Sequence, residues 1–409
     1  MTRHLLRLIW NRKRHNLLLS TEIFFSYVVL LAVTAGLVNV AANYSQPLGY
    51  RIDNIWRIQV RTPSFADQGT RDRAPAILKD VFSTLRGLPE VEATAGVMIP
   101  PYSGHDSTRT HSEAGIHLAQ NGATDGLADL LGMQIVAGRW FTLEDSTMTN
   151  GARAVVINQR LATRLFGDGD VIGQVLPLKF RPNVDGRVPP PERVVGVITD
   201  YRKGGELSTP QNYLFSRLNL DLAGQDYQGF PNAILVRVRP GTTADFEETI
   251  LKALNPLARD WAFTVDSLTA DRENSFYQYK AVILVAGIVT GFLLLMVALG
   301  LTGVVWQMVT ERTREFGLRR AKGAAAVSVQ RQVLTELVLI ASLAIAPGVL
   351  LASQVPLLPM PNDWVIPDNI FLMSVVIAAI GIYVVVLLCG WYPSRLATRV
   401  QPAEALHYE

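Results

Sequence analysis

The chain has 409 residues, enough for two or three domains, and 49% of them are hydrophobic. Its mean hydropathy of +0.21 lies between the values of soluble and of fully membrane-embedded chains, so we expect part of it to lie in lipid. The formal net charge is only +3, and Lys and Arg cluster beside apolar runs, which favours a membrane surface over nucleic acid as their partner. The single cysteine, Cys389, excludes an intramolecular disulfide.

Four apolar runs are long enough to cross a bilayer as helices. A transmembrane helix needs about 20 mainly apolar residues to span a hydrocarbon core of about 30 Å. We predict such helices over residues 17–43, 281–308, 332–355 and 370–391. The first run is longer than an ordinary signal-peptide core and lacks a clean A-x-A site before Tyr44, so an anchor is favoured over the competing interpretation, a cleaved signal peptide.

The positive charges predict the orientation, because Lys and Arg in short flanking segments stay on the cytoplasmic side. They concentrate in the N-terminal segment 1–16, in segment 309–331 and in the tail 392–409, which we therefore place in the cytoplasm. Segment 356–369 has no Lys or Arg, and the long segment 44–280 is translocated almost regardless of its charge. Both termini are then expected inside, and segments 44–280 and 356–369 outside.

Segment 44–280 alternates short β-rich runs with helical stretches, which indicates a mixed α/β domain. Two strand-helix-strand units are predicted in it, over 55–60, 73–87 and 92–99, and over 233–238, 243–257 and 261–265. We predict that residues 44–104 and 226–280 build one layered lobe and that residues 105–225 are inserted as a second lobe. A coincidence of short patterns is the alternative.

The predicted domain shows no catalytic set. His105, His111 and His117 recur every six residues near Asp106 and Glu113, a spacing that suits a metal site, but a polar loop that carries histidines is the interpretation we favour. No G-x-S-x-G elbow, H-E-x-x-H helix or P-loop occurs in the sequence, so an enzyme acting alone finds no support.

Segment 311–340, ERTREFGLRRAKGAAAVSVQRQVLTELVLI, follows the second predicted span, and its residue types alone favour a solvated charged loop. The order of its residues resembles the cytoplasmic coupling segment of the MacB/FtsX-like ABC permeases, E-R-x-R-E-I-G-I-R-R/K-A-x-G-A. Lys322 departs from this pattern, since the family usually has an apolar residue there. The C-terminal P-x-R-x-A-x-x-x-x-P-x-E-A-L pattern, G-R-x-F at Gly138, L-F-G-D at Leu165 and VVGVITDYR also resemble the family.

The resemblance implies a bacterial inner-membrane permease with four transmembrane helices and a periplasmic α/β domain that has a porter-like lobe and an inserted second lobe. It implies that this chain is not an enzyme and holds no cofactor or metal, and that a separate ABC ATPase subunit binds ATP and Mg. A second permease subunit, identical or related, would complete a dimer, and a periplasmic adaptor and an outer-membrane duct are further partners. Such a machine transmits ATP-driven motion to the periplasmic domain and exports a peptide, antibiotic or lipophilic cargo.

The predicted contact with the ATPase is the coupling segment, with two apolar anchors and flanking charges that fix the register. Its residues are Glu311, Arg312, Arg314, Glu315, Phe316, Gly317, Leu318, Arg319 and Arg320. Glu22 and Glu336 lie within predicted spans near the Arg-rich surface, where snorkelling or a structural ion pair is favoured over a substrate role.

Three alternatives stay open at the sequence level. The first is an FtsX-like signalling subunit that activates a periplasmic hydrolase, and crosslinking of the periplasmic domain to such an enzyme would distinguish it. The second is a lipoprotein-releasing permease, which needs an apolar collar around residues 44–50 and 268–280. The third, a single-chain receptor or secondary transporter, is disfavoured because four spans without a buried charge pathway offer little to carry an ion.

Overall fold

The computed structural model of the chain describes residues 13–63, 68–105, 108–110, 116–146, 151–178, 190–222, 230–312, 315, 318–319, 322–355 and 367–397. Two compact units divide at residues 42/43 and 279/280. We call them the helical unit, which contains both chain ends, and the sheet unit, residues 43–279.

The elements are numbered along the chain. The helices are α1 (Lys13–Tyr44), α2 (Gln68–Gly87), α3 (Leu127–Leu131), α4 (Gln159–Phe166), α5 (Phe246–Leu254), α6 (Leu268–Glu311), α7 (Ala326–Ala352) and α8 (Asp368–Ala397). The strands are β1 (Ile55–Arg61), β2 (Val91–Val97), β3 (Thr108–Thr110), β4 (His117–Ala123), β5 (Ile135–Gly138), β6 (Arg153–Asn158), β7 (Glu192–Ile198), β8 (Tyr213–Arg217), β9 (Ala233–Val238) and β10 (Ala262–Ser267).

Four helices among the described residues, α1, α6, α7 and α8, are long and apolar enough to cross a membrane, as predicted. They pack around a common apolar core to which each contributes, for example through Ile23, Leu301, Ile340 and Ile382. The chain is therefore a multi-pass membrane protein.

The second of these helices is longer than its apolar run. We predicted a span over residues 281–308, whereas α6 is one uninterrupted helix of 44 residues that begins at Leu268. Its first three turns are rich in polar residues, so hydropathy does not reveal them, and Leu268 at the start of the helix is fully buried in the sheet unit. At 1.5 Å per residue the helix is about 66 Å long.

The two predicted strand-helix-strand units interleave in one half of the sheet. β1-α2-β2 and β9-α5-β10 give the strand order β10-β1-β9-β2, and every neighbouring pair in it is antiparallel. Each unit thus has a strand of the other inserted between its own two strands, which is the split βαβ arrangement of ferredoxin-like folds. Helices α2 and α5 cover one face, where Leu78, Phe82 and Ile250 pack on Ile58 and Val236.

Strands β4 to β8 lie between β2 and β9 in the chain and extend the same sheet beyond β2, in the order β4-β8-β6-β7-β5. Strand β3 pairs with β4 and stands outside this order. The two halves meet at one ladder pair, Val97 with Ala123, and share an apolar core that includes Leu130 and Leu235. The α/β domain is therefore built on one continuous sheet with two halves, and its division into two lobes stays a prediction. We call the two halves the first lobe (β1, β2, β9, β10) and the inserted lobe (β3 to β8).

Candidate coupling site

The coupling segment begins where α6 ends, at Glu311, and its first basic residue is buried. Arg312 is 6% exposed and Glu336 of α7 is 2% exposed. Arg312 donates from Nη1 to Glu336 Oε2 over 2.7 Å and from Nη2 to Glu336 Oε1 over 3.2 Å. This two-bond geometry is the strongest that an arginine and a carboxylate form. It fastens the start of the coupling segment to α7, and the Arg312 side chain is directed away from solvent.

The next described residues of the segment are more exposed. Arg319 donates to Glu315 Oε1 over 2.5 Å and to Gln332 Oε1 of α7 over 2.6 Å. Leu318 is 49% exposed. Of the other predicted contact residues, Arg314, Phe316, Gly317 and Arg320 lie outside the described residues.

A reversal of the chain connects the segment to α7. Gly323 has a φ of +90°, a value that side chains with a Cβ rarely adopt. The amide of Lys322 donates to Leu318 O and the amide of Ala324 donates to Arg319 O, both over 3.1 Å, so the turn closes on the preceding helical turn. Lys322 itself is exposed.

The two acidic residues within the spans have different surroundings. Glu336 forms the ion pair described above, in line with a structural role. Glu22 of α1 lies against Gly300 of α6, where a Cβ would stand 2.5 Å from Glu22 Oε1. The glycine therefore allows α1 and α6 to approach each other at the level of this carboxyl group.

The G-R-x-F motif of the sheet unit forms a tight turn that is held by an ion pair. Gly138 has a φ of +70°, and a Cβ there would stand 2.3 Å from Val195 O, so the tight turn after β5 requires glycine. Arg139 donates to both carboxylate oxygens of Asp145, over 2.6 and 3.1 Å. Asp145 also accepts from the amide of Thr142 over 2.9 Å. Burial raises the pKa of Asp145, but the bonds from Arg139 and Thr142 outweigh it and hold that pKa below its usual range.

The VVGVITDYR run forms β7 and the start of the connection to β8. Asp200 accepts from the side-chain amide of Asn158 over 3.0 Å and from the amide of Arg160 over 3.3 Å. Asn158 in turn accepts from the amide of Leu161, so the N-terminus of α4 is already capped by side chains. Arg202, the last residue of the run, is buried and holds four carbonyl oxygens, described below.

Of the three histidines with a spacing of six, His105 and His117 are described and His111 lies outside the described residues. No group of three His, Cys, Asp or Glu side chains suited to a metal ion occurs within the described parts of the chain.

Sequence reasoning missed the partners of the buried charges. It recognised Glu336 as an ionisable residue in a span, but it did not pair it with Arg312, which lies 24 positions earlier. In the sequence Arg202 stands out only as part of the VVGVITDYR motif, and no pattern singles out Glu206. An arginine at the end of an apolar β-run was the one available signal for Arg202.

Residues 24–253 match the MacB-like periplasmic core domain, and residues 287–402 match the FtsX-like permease C-terminal domain. The fold and these matches define a membrane permease of the ABC transporter class. The chain belongs to the family of permeases with a MacB-like periplasmic core domain.

Individual relatives are distant. The macrolide export ATP-binding/permease protein MacB of Chromobacterium violaceum is 27% identical over 288 residues, which cover 68% of this chain and 41% of that protein. A probable syringafactin export ATP-binding/permease protein of Pseudomonas syringae pv. tomato is 26% identical over 314 residues, 75% of this chain and 44% of that protein. The chain thus spans less than half the length of these relatives. The solved periplasmic region of MacB from Actinobacillus actinomycetemcomitans is 17% identical and aligns with a TM-score of 0.35 over 55% of this chain and 94% of that one.

Proposed function

We propose that the chain is the permease subunit of a MacB-like ABC transporter and converts ATP hydrolysis by a separate subunit into movement of its sheet unit. In this proposal both termini and the coupling segment lie in the cytoplasm of a bacterium, and the sheet unit lies in the periplasm. The ATPase subunit holds ATP and Mg, a second permease subunit completes the assembly, and the cargo is a peptide, antibiotic or lipophilic compound, as the names of the relatives suggest.

The observation that carries the proposal is the continuity of α6. One helix begins at Leu268, directly after strand β10, and ends at Glu311, the first residue of the coupling segment. A helix without a break is stiff, so a displacement at its cytoplasmic end is transmitted along about 66 Å. The buried pair of Arg312 and Glu336 supports the same view, because it makes α6 and α7 respond together to a force on the segment.

The experiment is reconstitution of the full chain in lipid nanodiscs with the ABC ATPase that copurifies with it from its native membrane. Replacing Arg314, Phe316 and Gly317 together by alanine is expected to abolish the stimulation of ATP hydrolysis, and Leu318→Asp is expected to reduce it strongly. Lys252→Ala, at an exposed position of α5, is the control and is expected to leave stimulation unchanged. Stimulation that survives both coupling-segment variants would count against the proposal.

A further inference from the structure

Arg202 lies between β7 and β8 and is 1% exposed, which is unusual for a charged residue. Its Nη1 atom donates to Asn43 O over 2.7 Å and to Gln46 O over 2.9 Å. Its Nη2 atom donates to Glu206 O and to Ser208 O, both over 2.5 Å. One guanidinium group therefore joins the C-terminal end of α1 to the connection that follows β7.

This position suits an arginine for a physical reason. The last carbonyl oxygens of a helix have no partner within the helix, and the helix dipole favours a positive charge there. Arg202 supplies both donors and charge to the end of α1. The attachment is reinforced because the amide of Arg202 donates to Leu48 O over 3.1 Å and the side chain of Asn43 donates to Leu207 O over 3.4 Å.

The same connection also holds α6. The carboxylate of Glu206 accepts from Tyr102 Oη over 3.0 Å and from Arg272 Nε. Asp271, the residue before Arg272, binds to strand β1 instead, because its carboxylate accepts two hydrogen bonds from Arg57 over 2.6 and 2.8 Å. Neighbouring residues of α6 are thus attached to different lobes: Asp271 to the first lobe, and Arg272 to the connection within the inserted lobe.

We propose that residues 201–209, the clamp segment, fasten the end of α1 and the start of α6 to the inserted lobe, with Arg202 and Glu206 as positioning residues. Within the sheet unit, a displacement of these two helix ends then reaches the inserted lobe through the clamp segment. A simple filling role does not account for Arg202, because burial of a charge is costly and an apolar side chain would fill the same space without that cost. This inference rests on the proposed function for its purpose, but the attachment itself is testable separately.

The attachment is tested by distance measurement between spin labels on the full chain in nanodiscs, with Cys389→Ser as background. Labels at Ala41→Cys on α1 and Thr163→Cys on α4 occupy exposed positions. Arg202→Lys replaces the planar guanidinium group, which binds four carbonyl oxygens, by a single ammonium group. It is expected to broaden the distribution of the distance between the two labels about twofold. The matched control is Arg217→Lys, because the guanidinium group of Arg217 is partly buried and binds both carboxylate oxygens of Asp125, whereas its bonds to Asp125 involve neither helix end. An Arg202→Lys distribution as narrow as that of the control would overturn the inference.

A second variant covers the case in which Arg202→Lys does not fold. Arg272→Gln removes the ion-pair partner of Glu206 at a side chain that is 37% exposed, and its control Arg237→Gln removes an ion pair at a side chain that is 36% exposed. We expect intermediate broadening for Arg272→Gln, none for Arg237→Gln, and a narrow distribution again for Arg272→Lys. Equal widths in all three variants would contradict the clamp.

A third measurement separates this inference from the proposed function. With the ATPase present, labels at Asn369→Cys and Thr163→Cys are expected to show an ATP-dependent distance change in the native chain. Arg202→Lys is expected to lose this change while stimulated ATP hydrolysis persists. No distance change in the native chain would overturn the proposed function, whereas a change that persists in Arg202→Lys would overturn only the clamp.

Discussion

At the scale of single residues, the pair of Arg312 and Glu336 has the character of a buried ion pair. Its attraction roughly offsets the cost of removing both charges from water, so the intact pair adds little net stability. Removal of one partner, in contrast, lowers stability strongly, because the other charge then remains buried without a counter-charge. The pair therefore fixes the position of the coupling segment more than it stabilises the fold.

Removal of Arg312 alone tests this asymmetry. Arg312→Leu is expected to lower the free energy of unfolding by about 3–5 kcal/mol, because the Glu336 carboxylate loses its partner. The double variant Arg312→Leu with Glu336→Leu is expected to be close to the native stability. Thermal unfolding in nanodiscs, followed by tryptophan fluorescence, measures both. Arg319→Leu, which breaks a more exposed pair, serves as control and is expected to cost less than about 1 kcal/mol. Equal losses in the single and double variants would refute this account.

Asp145 offers a test that depends on pH. Because its folded pKa lies below its unfolded one, its bonds to Arg139 and Thr142 contribute stability that is complete above about pH 4 and is lost as the pH falls through the folded pKa. Asp145→Asn is expected to cost about 1 kcal/mol at neutral pH, by analogy with the loss of a capping carboxylate, and to flatten the acid limb of the stability profile. A melting series of both proteins from pH 3 to 7 measures this, and parallel profiles would contradict it.

At the scale of elements, α1 and α7 approach closely where Gly348 faces Tyr27. A Cβ at Gly348 would stand 2.6 Å from Tyr27 Cδ1, and Tyr27 is fully buried. Gly348→Ala is therefore expected to lower stability by about 1–3 kcal/mol through overpacking. Gly36→Ala in α1 is the control, because a Cβ there meets nothing within 4 Å and alanine favours the helix. Thermal unfolding of both variants measures the loss of stability. A Gly348→Ala variant that unfolds at the native temperature would show that α1 and α7 are not in close contact.

The elements themselves were largely predictable, for a local reason. Runs such as 233–238 are short and rich in β-branched apolar residues, and the apolar spans are continuous, so each pattern is complete within its own window. Strand order was not predictable in the same way. The insertion of β9 between β1 and β2 depends on contacts across more than a hundred residues, and the single ladder pair of Val97 with Ala123 leaves no trace in composition.

At the scale of the whole molecule, the candidate site shows the same limit. Its position was predictable, because the charged segment lies between two apolar runs. The division of the segment into a buried anchor and an exposed face was not predictable, since Arg312 and Arg319 are the same residue type and the sequence does not show which residue of α7 each one meets. A helix that continues past its apolar run, as α6 does, is hidden for a related reason: hydropathy detects lipid contact and not helix length.

The proposed orientation of the molecule is the premise on which transmission through α6 depends, and it is predicted from the cytoplasmic preference of Lys and Arg in short segments. Cysteines are introduced singly into the Cys389→Ser background, at Leu318 in the coupling segment and at Thr163 in the sheet unit. A membrane-impermeant maleimide is expected to label Thr163→Cys in intact spheroplasts and Leu318→Cys only after lysis. Thr249→Cys on α5 and Val327→Cys at the start of α7, both exposed, are the matched controls on each side. Labelling of Leu318→Cys before lysis would place the coupling segment away from ATP, and α6 would then have no ATPase to follow.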